Sequence, residues 1–159
     1  MDRGRIVAVH DMPTFKKATK ARKQGYFLHI DPHALSMLVD QYARHVCIAV
    51  IEEPGAMPKQ GLSSTFRFGH TCGMAHGVLS ANYLTTIPIK PAVWKPALGL
   101  SGQKTSSLDK VKSIFPRDTE HFKLKKHHDR AEAALLAVFG MKFLKKYIDL
   151  ERNRDDIRK

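Results

Sequence analysis

Val46-Cys47-Ile48-Ala49-Val50-Ile51-Glu52-Glu53 is the most hydrophobic run in the chain, and it ends in two carboxylates. Its β-branched residues, apolar at successive positions, are the pattern of a central strand covered on both faces. Beyond it, Pro54 to Gly61 is a Gly/Pro loop, and residues 64 to 82 have the pattern of a helix rich in small residues: Gly69, Gly73, Ala75, Gly77 and Ala81. Glycines weaken a helix, so close packing is the expected reason for them. Leu84 to Lys90 is a further strand, Ala92 to Ala97 a short helical turn, and Thr105 to Phe115 a helix. His127 to Tyr147 is a long last helix, with Ala133, Leu136, Ala137 and Phe143 as its apolar residues.

Toward the N-terminus, Asp31-Pro32 is a helix start, Asp at the N-cap and Pro in the first turn, and Leu35, Leu38, Val39 and Tyr42 follow at helical spacing. Arg5 to Asp11 is predicted to be a strand ended by Met12-Pro13. Tyr26 to Ile30 is predicted to pair with it, across a turn crowded with Lys16, Lys17, Lys20, Arg22 and Lys23. The result is a basic β-hairpin followed by alternating elements, in the order ββαβαβααα. That order belongs to the α/β class, a mixed central sheet flanked by helices.

The 159 residues, 43% of them hydrophobic, suffice for one domain with one core. Twenty-seven Lys and Arg against 15 Asp and Glu leave a net charge of +12, which makes a polyanion the expected partner, nucleic acid first. The charge is spread along the chain, unlike that of a membrane-binding amphipathic helix, and no apolar run approaches the ~18 residues of a spanning helix. With no signal-peptide pattern after Met1, the expected compartment is the cytoplasm. Cys47 and Cys72 lack zinc-ligand spacing and are expected to be buried small hydrophobes. Glu151 to Lys159 is a charged tail.

Two acidic clusters carry the candidate chemistry. Alternation on a strand lets only one of Glu52 and Glu53 face a given site, and a carboxylate on a rigid strand end suits Mg²⁺. A solvated strand end is the plainer reading. In His127-His128-Asp129-Arg130-Ala131-Glu132, helical spacing makes Asp129 and Glu132 neighbours, and His128 and Glu132 likewise. Such a patch can hold a cation, and the same acids near a helix start can equally serve its macrodipole. Two acidic clusters in a strongly basic chain match phosphodiester hydrolysis, in which paired metals activate water and stabilise the leaving oxygen while lysines hold phosphates.

Ala49-Val50-Ile51-Glu52, Ala56-Met57-Pro58-Lys59-Gln60-Gly61, Pro91-Ala92-Val93-Trp94-Lys95, Phe115-Pro116 and Lys125-Lys126-His127-His128-Asp129-Arg130-Ala131-Glu132, taken in this order and spacing, resemble the RuvC-like Holliday-junction resolvases of phages, bacteria and chloroplasts. The likeness runs from about residue 5 to residue 140. It implies a ribonuclease H-like fold, a homodimer, no small-molecule substrate, and symmetrical nicking of four-way DNA junctions with Mg²⁺ or Mn²⁺. By position it implies that Glu52, Asp129 and Glu132 bind metal and that His128 adds a ligand or an acid/base group. It also implies that Lys59, Gln60, Ser64, Lys95, Lys104, Lys125 and Lys126 contact DNA, though each lysine alone is an ordinary surface residue. Trp94 is read as a packing residue.

The chain departs from the family's pattern twice. The family's first strand, with a catalytic Asp, precedes the segment that Arg5 to Asp11 matches and has no counterpart here; Ile30-Asp31-Pro32 imitates it but opens a helix. His127 stands where relatives often have Asp, which bears on metal preference. A junction-binding protein that cannot cut is therefore the competing expectation, and an enzyme acting on RNA-containing duplexes is a third.

Overall fold

Pro32 and the Asp31 carboxylate start the first helix: Asp31 Oδ1 accepts from the His33 and Ala34 N–H groups at 3.1 and 3.0 Å, satisfying two donors that the helix itself leaves unpaired. The computed structural model describes residues 5–20, 25–44, 48–53, 55, 61–100 and 104–145, with Lys104 and Thr105 described in backbone only. Their regular elements are β1 Thr14–Ala18, β2 Tyr26–Ile30, α1 Pro32–Ala43, β3 Ile48–Glu52, α2 Leu62–Ala81, β4 Thr85–Ile89, α3 Pro91–Ala97, α4 Lys104–Ile114 and α5 His128–Phe143. Two short 3-10 turns, Thr119–Phe122 and Lys125–His127, join α4 to α5. The protein is mixed α/β, and among the described residues its strands form two two-stranded sheets, β1–β2 and β3–β4, rather than one continuous central sheet.

The chain divides into two units: Met12–Ile87, and Pro88–Lys159 together with Met1–Asp11. In the first unit, Ile30, Leu35 and Ala75 are buried, with Val39, Ile51, Met74 and Val78 packed on them, so α1, α2, β2 and β3 share one small core. Asn82 Nδ2 donates to Ser36 Oγ at 3.0 Å and ties the end of α2 to α1. In the second unit, Trp94, Val111, Phe122, Ala131 and Leu135 have no exposure, and Leu98, Leu108, Phe115, Leu136 and Phe139 are buried with them. Each fully buried large side chain contributes about 1.5–3 kcal/mol.

The hairpin forms one segment later than the sequence pattern predicts. Arg5 to Asp11 makes no strand: Arg5 is an isolated bridge, and the rest is irregular. The Ile6 N–H donates to the buried Asp118 Oδ2 at 3.4 Å, and Asp11 engages Arg130, so side chains of the second unit take hold of this segment. Pro13 closes it, and its carbonyl accepts from the Asp31 N–H at 2.9 Å. β1 then pairs antiparallel with β2, Thr14 opposite Ile30 and Ala18 opposite Tyr26. The Thr19 N–H reaches the Gly25 carbonyl at 2.8 Å across the turn, where Gly25 takes φ +73°, a conformation costly for residues with a Cβ.

Three further expectations are corrected. β3 is half-buried at every position instead of enclosed on both faces. The glycines of α2 are not explained by packing: a Cβ at Gly69, Gly73 or Gly77 would meet no atom of the described residues within 4 Å. On α5 the buried stripe is Ala131, Leu135, Leu136, Phe139 and Gly140, whereas Ala133, Ala137 and Phe143 are exposed. Cys72 is half-buried, and Cys47 lies outside the described residues, as do Arg22, Lys23 and the charged tail. No helix among the described residues is long and apolar enough to cross a membrane.

Candidate functional site

The second unit places a carboxylate between three helices. Glu132 lies one turn into α5, directly after the buried Ala131, and is about one-quarter exposed. Lys95 of α3 donates from Nζ to Glu132 Oε1 at 2.9 Å, and Ser107 of α4 donates from Oγ to the same oxygen at 3.2 Å. Ser107 is itself buried. Oε2 takes part in neither contact. Lys95 gets its position from Trp94, whose fully buried ring fixes α3 and lies 5.2 Å from Lys95 Nζ. A carboxylate fixed by donors from two other helices is held far more closely than a solvated surface acid.

Asp129, one turn earlier, takes a different partner. Its Oδ1 lies 2.9 Å from His128 Nε2, and the side chain is 85% exposed. His128 thus meets its neighbour in sequence, and neither residue joins the Lys95–Glu132–Ser107 cluster. Lys125 and Lys126 are exposed on the 3-10 turn just before α5, so the helix start that carries the acids is flanked by two cations.

Between these groups sits a pair that sequence reading did not single out. Arg130 donates from Nε and Nη2 to Asp11 Oδ1 and Oδ2, both at 2.6 Å, a bidentate clasp between α5 and the N-terminal segment. The Arg130 hydrogen bond holds the Asp11 carboxyl below its ordinary range, and the same bond raises Arg130. His127 is pushed down, first by partial burial and then by the charges of Arg130 and Lys126. Its Nδ1 accepts from the Leu124 N–H at 3.4 Å, which fits a neutral ring.

Glu52 ends β3 in the other unit, as the sequence predicts, and is half-buried beside α2. Burial raises the Cys72 thiol of that helix, and the negative charge of Glu52 raises it further, which places the carboxylate within electrostatic reach of mid-α2. Glu53 is exposed beyond the strand end. Ser64 falls in the first turn of α2 rather than in the preceding loop, exposed, and accepts from Arg67 Nη2 at 3.3 Å. Lys59 and Gln60 lie outside the described residues, and Lys104 begins α4 with its side chain undescribed.

Glu52, Asp129 and Glu132 are all hard oxygen donors, the kind Mg²⁺ takes, so the residues suit that ion in chemistry. Among the described residues no three His, Cys, Asp or Glu side chains gather as a metal-holding group. No protein-family model matches the chain, and no characterised protein matches it.

Proposed function

We propose that this protein is a metal-dependent nuclease acting on DNA. More particularly, we propose an endonuclease of the RuvC-like type, with a ribonuclease H-like arrangement, that nicks four-way junctions symmetrically as a homodimer in the cytoplasm of a bacterial or phage-infected cell. The observation that carries this reading is the Lys95–Glu132 contact: an acid and a base 37 positions apart, each singled out by its own motif, meet at 2.9 Å in a partly buried cluster. The element order, the carboxylate at the end of β3 and the net charge of +12 add support.

In this reading Glu132, Glu52 and Asp129 would be the carboxylates available to Mg²⁺ or Mn²⁺, which when bound would activate water and stabilise the leaving oxygen. Ser107 orients the Glu132 carboxylate. Lys95 balances that charge in the free protein and turns to a phosphate oxygen when DNA arrives. Lys125 and Lys126, with Lys59, Gln60, Ser64 and Lys104, contact the DNA in this reading. His128 orients Asp129. The exposed glycines of α2, four residues apart at 69, 73 and 77, leave room for a helix of a second copy to approach closely.

One observation favours a second reading, a junction-binding protein that does not cut: Asp129 is 85% exposed and paired with His128, and it does not join the Glu132 cluster. Incubating a labelled four-way junction with the chain and Mg²⁺ or Mn²⁺, beside Glu52→Gln and Glu132→Gln, separates the two. Paired nicks abolished by either substitution are the expected result. Tight junction binding with no nicks at any metal concentration would replace the nuclease by the binder.

A further inference from the structure

The Met12–Ile87 unit holds an open cleft of about 770 Å³ between the β1–β2 hairpin and the N-terminal half of α2. Antiparallel register sets Lys17 opposite Phe27 and Phe15 opposite His29, so one face of the hairpin carries a cation among aromatic rings. Phe15 and His29 are stacked, with centroids 5.7 Å apart. From α2, Arg67 lays its guanidinium 4.1 Å from the Phe27 ring centre while Nη2 reaches Ser64, so the group is flat and fixed. Phe66 and Phe68, also on the cleft, are 76% and 44% exposed. None of the described lining residues is acidic.

Exposed aromatic faces next to fixed cations, with no carboxylate nearby, are what an unpaired nucleotide needs: rings for the base and positive groups for the phosphate. A paired duplex offers mainly phosphates and groove edges, because its base faces are already stacked. We infer that this cleft binds unpaired nucleotides of DNA, with bases stacked on Phe66 and Phe68 and phosphates held by Lys17 and Arg67. The inference rests on the nucleic-acid reading above and adds to it a strand-selective site that uses none of the carboxylates of α5. A branched substrate supplies such nucleotides where its strands part.

The test is fluorescence anisotropy of the full chain with a labelled oligo(dT) strand and with a blunt duplex of equal length, at several salt concentrations. Phe66→Ala and Phe68→Ala are each expected to weaken single-strand binding about tenfold and to leave duplex binding unchanged. Arg67→Gln is expected to lower the single-strand salt slope by about 0.7. Phe66 is so exposed that its removal costs no core, and an unchanged thermal melt by circular dichroism checks this. Equal losses on strand and duplex would overturn the inference, reducing the cleft to general phosphate attraction. Unchanged strand binding in the Phe66→Ala/Phe68→Ala double variant would overturn it too. Junction nicking read on the same samples keeps the two readings apart. Strand selectivity without nicking in the unsubstituted chain sinks the nuclease and spares the cleft, and nicking with unaltered strand binding in the variants does the reverse.

Discussion

Breaking the Lys95–Glu132 pair in both orders measures how firmly the candidate acid is held. A fully exposed ion pair contributes about 0–1 kcal/mol, whereas removing one partner of a fully buried pair costs about 3–5 kcal/mol. This pair lies between: the two side chains are 34% and 28% exposed, and the contact is 2.9 Å. Lys95→Met leaves Glu132 the Ser107 hydroxyl at 3.2 Å, which compensates part of the lost donor. A cost of about 1–2 kcal/mol is expected for Lys95→Met, near the lower end of the value of a charged hydrogen bond. Glu132→Gln keeps an acceptor for both donors and should cost about 1 kcal/mol. In the double variant the coupling, roughly 1 kcal/mol, should reappear as a cost smaller than the sum. Trp94 is the single tryptophan, fully buried and adjacent to Lys95, so its emission in urea reports this unit without interference from the other. Additivity within about 0.3 kcal/mol would refute the claim that the two groups hold each other.

The ends of α2 and α3 supply a second prediction. Both close in the same way: Leu84 N–H to Leu79 O and Tyr83 N–H to Ser80 O in α2, Leu100 N–H to Lys95 O and Gly99 N–H to Pro96 O in α3. At the left-handed position α3 has Gly99 at φ +66°, and α2 has Tyr83 at φ +61°, 97% exposed. Tyr83→Gly should therefore stabilise the Met12–Ile87 unit by about 0.5–1 kcal/mol, read by circular dichroism, because the left-handed cost to a Cβ exceeds the added chain entropy of glycine; a lower midpoint would refute this. The third prediction concerns acid. Asp11 has a depressed carboxyl, so its contribution is full above its ordinary value of 3.8 and is lost as pH falls through the lower folded value. His127 is also depressed, so the unfolded chain takes up its proton first, and stability should begin to fall below its ordinary 6.5. Urea midpoints against pH, followed by Trp94 emission, should show the earlier decline shrink in His127→Gln and the later one in Asp11→Asn. An unchanged profile in either variant would reject that assignment.

Local chemistry was the legible part of the fold. Asp31-Pro32 announced α1 because capping is settled within four residues, and Leu84 to Lys90 announced the strand after α2; the Gly/Pro loop lies mostly outside the described residues. What depended on a partner was not legible. Arg5 to Asp11 has strand-forming residues, but whether they pair is decided by Asp118 and Arg130, more than a hundred positions away. The buried side of α5 was misread because the helix carries apolar residues on every side. With Ala at 131, 133, 134 and 137, periodicity selects no face, and packing against α4 chooses Leu135 and Phe139.

The same division runs through the candidate site. Glu132 and Lys95 were each visible as residue types in motifs, but spacing along α5 pointed Glu132 toward Asp129 and His128, its neighbours at three and four positions. The folded chain resolves that local choice with partners from α3 and α4. Ser107 carried a signal that went unused. It immediately precedes Leu108 and lies one turn before Val111, on the buried stripe of α4, where a hydroxyl must find a polar partner. A buried serine on the stripe of one helix, a lysine after a buried tryptophan on another and an acid after a buried alanine on a third form one arrangement. In each case the apolar residue fixes the backbone and the polar neighbour is carried to the same point. The acid is thereby placed by the core of its unit as well as by the charge of Lys95, so substitutions of Trp94 should disturb Glu132 without touching it.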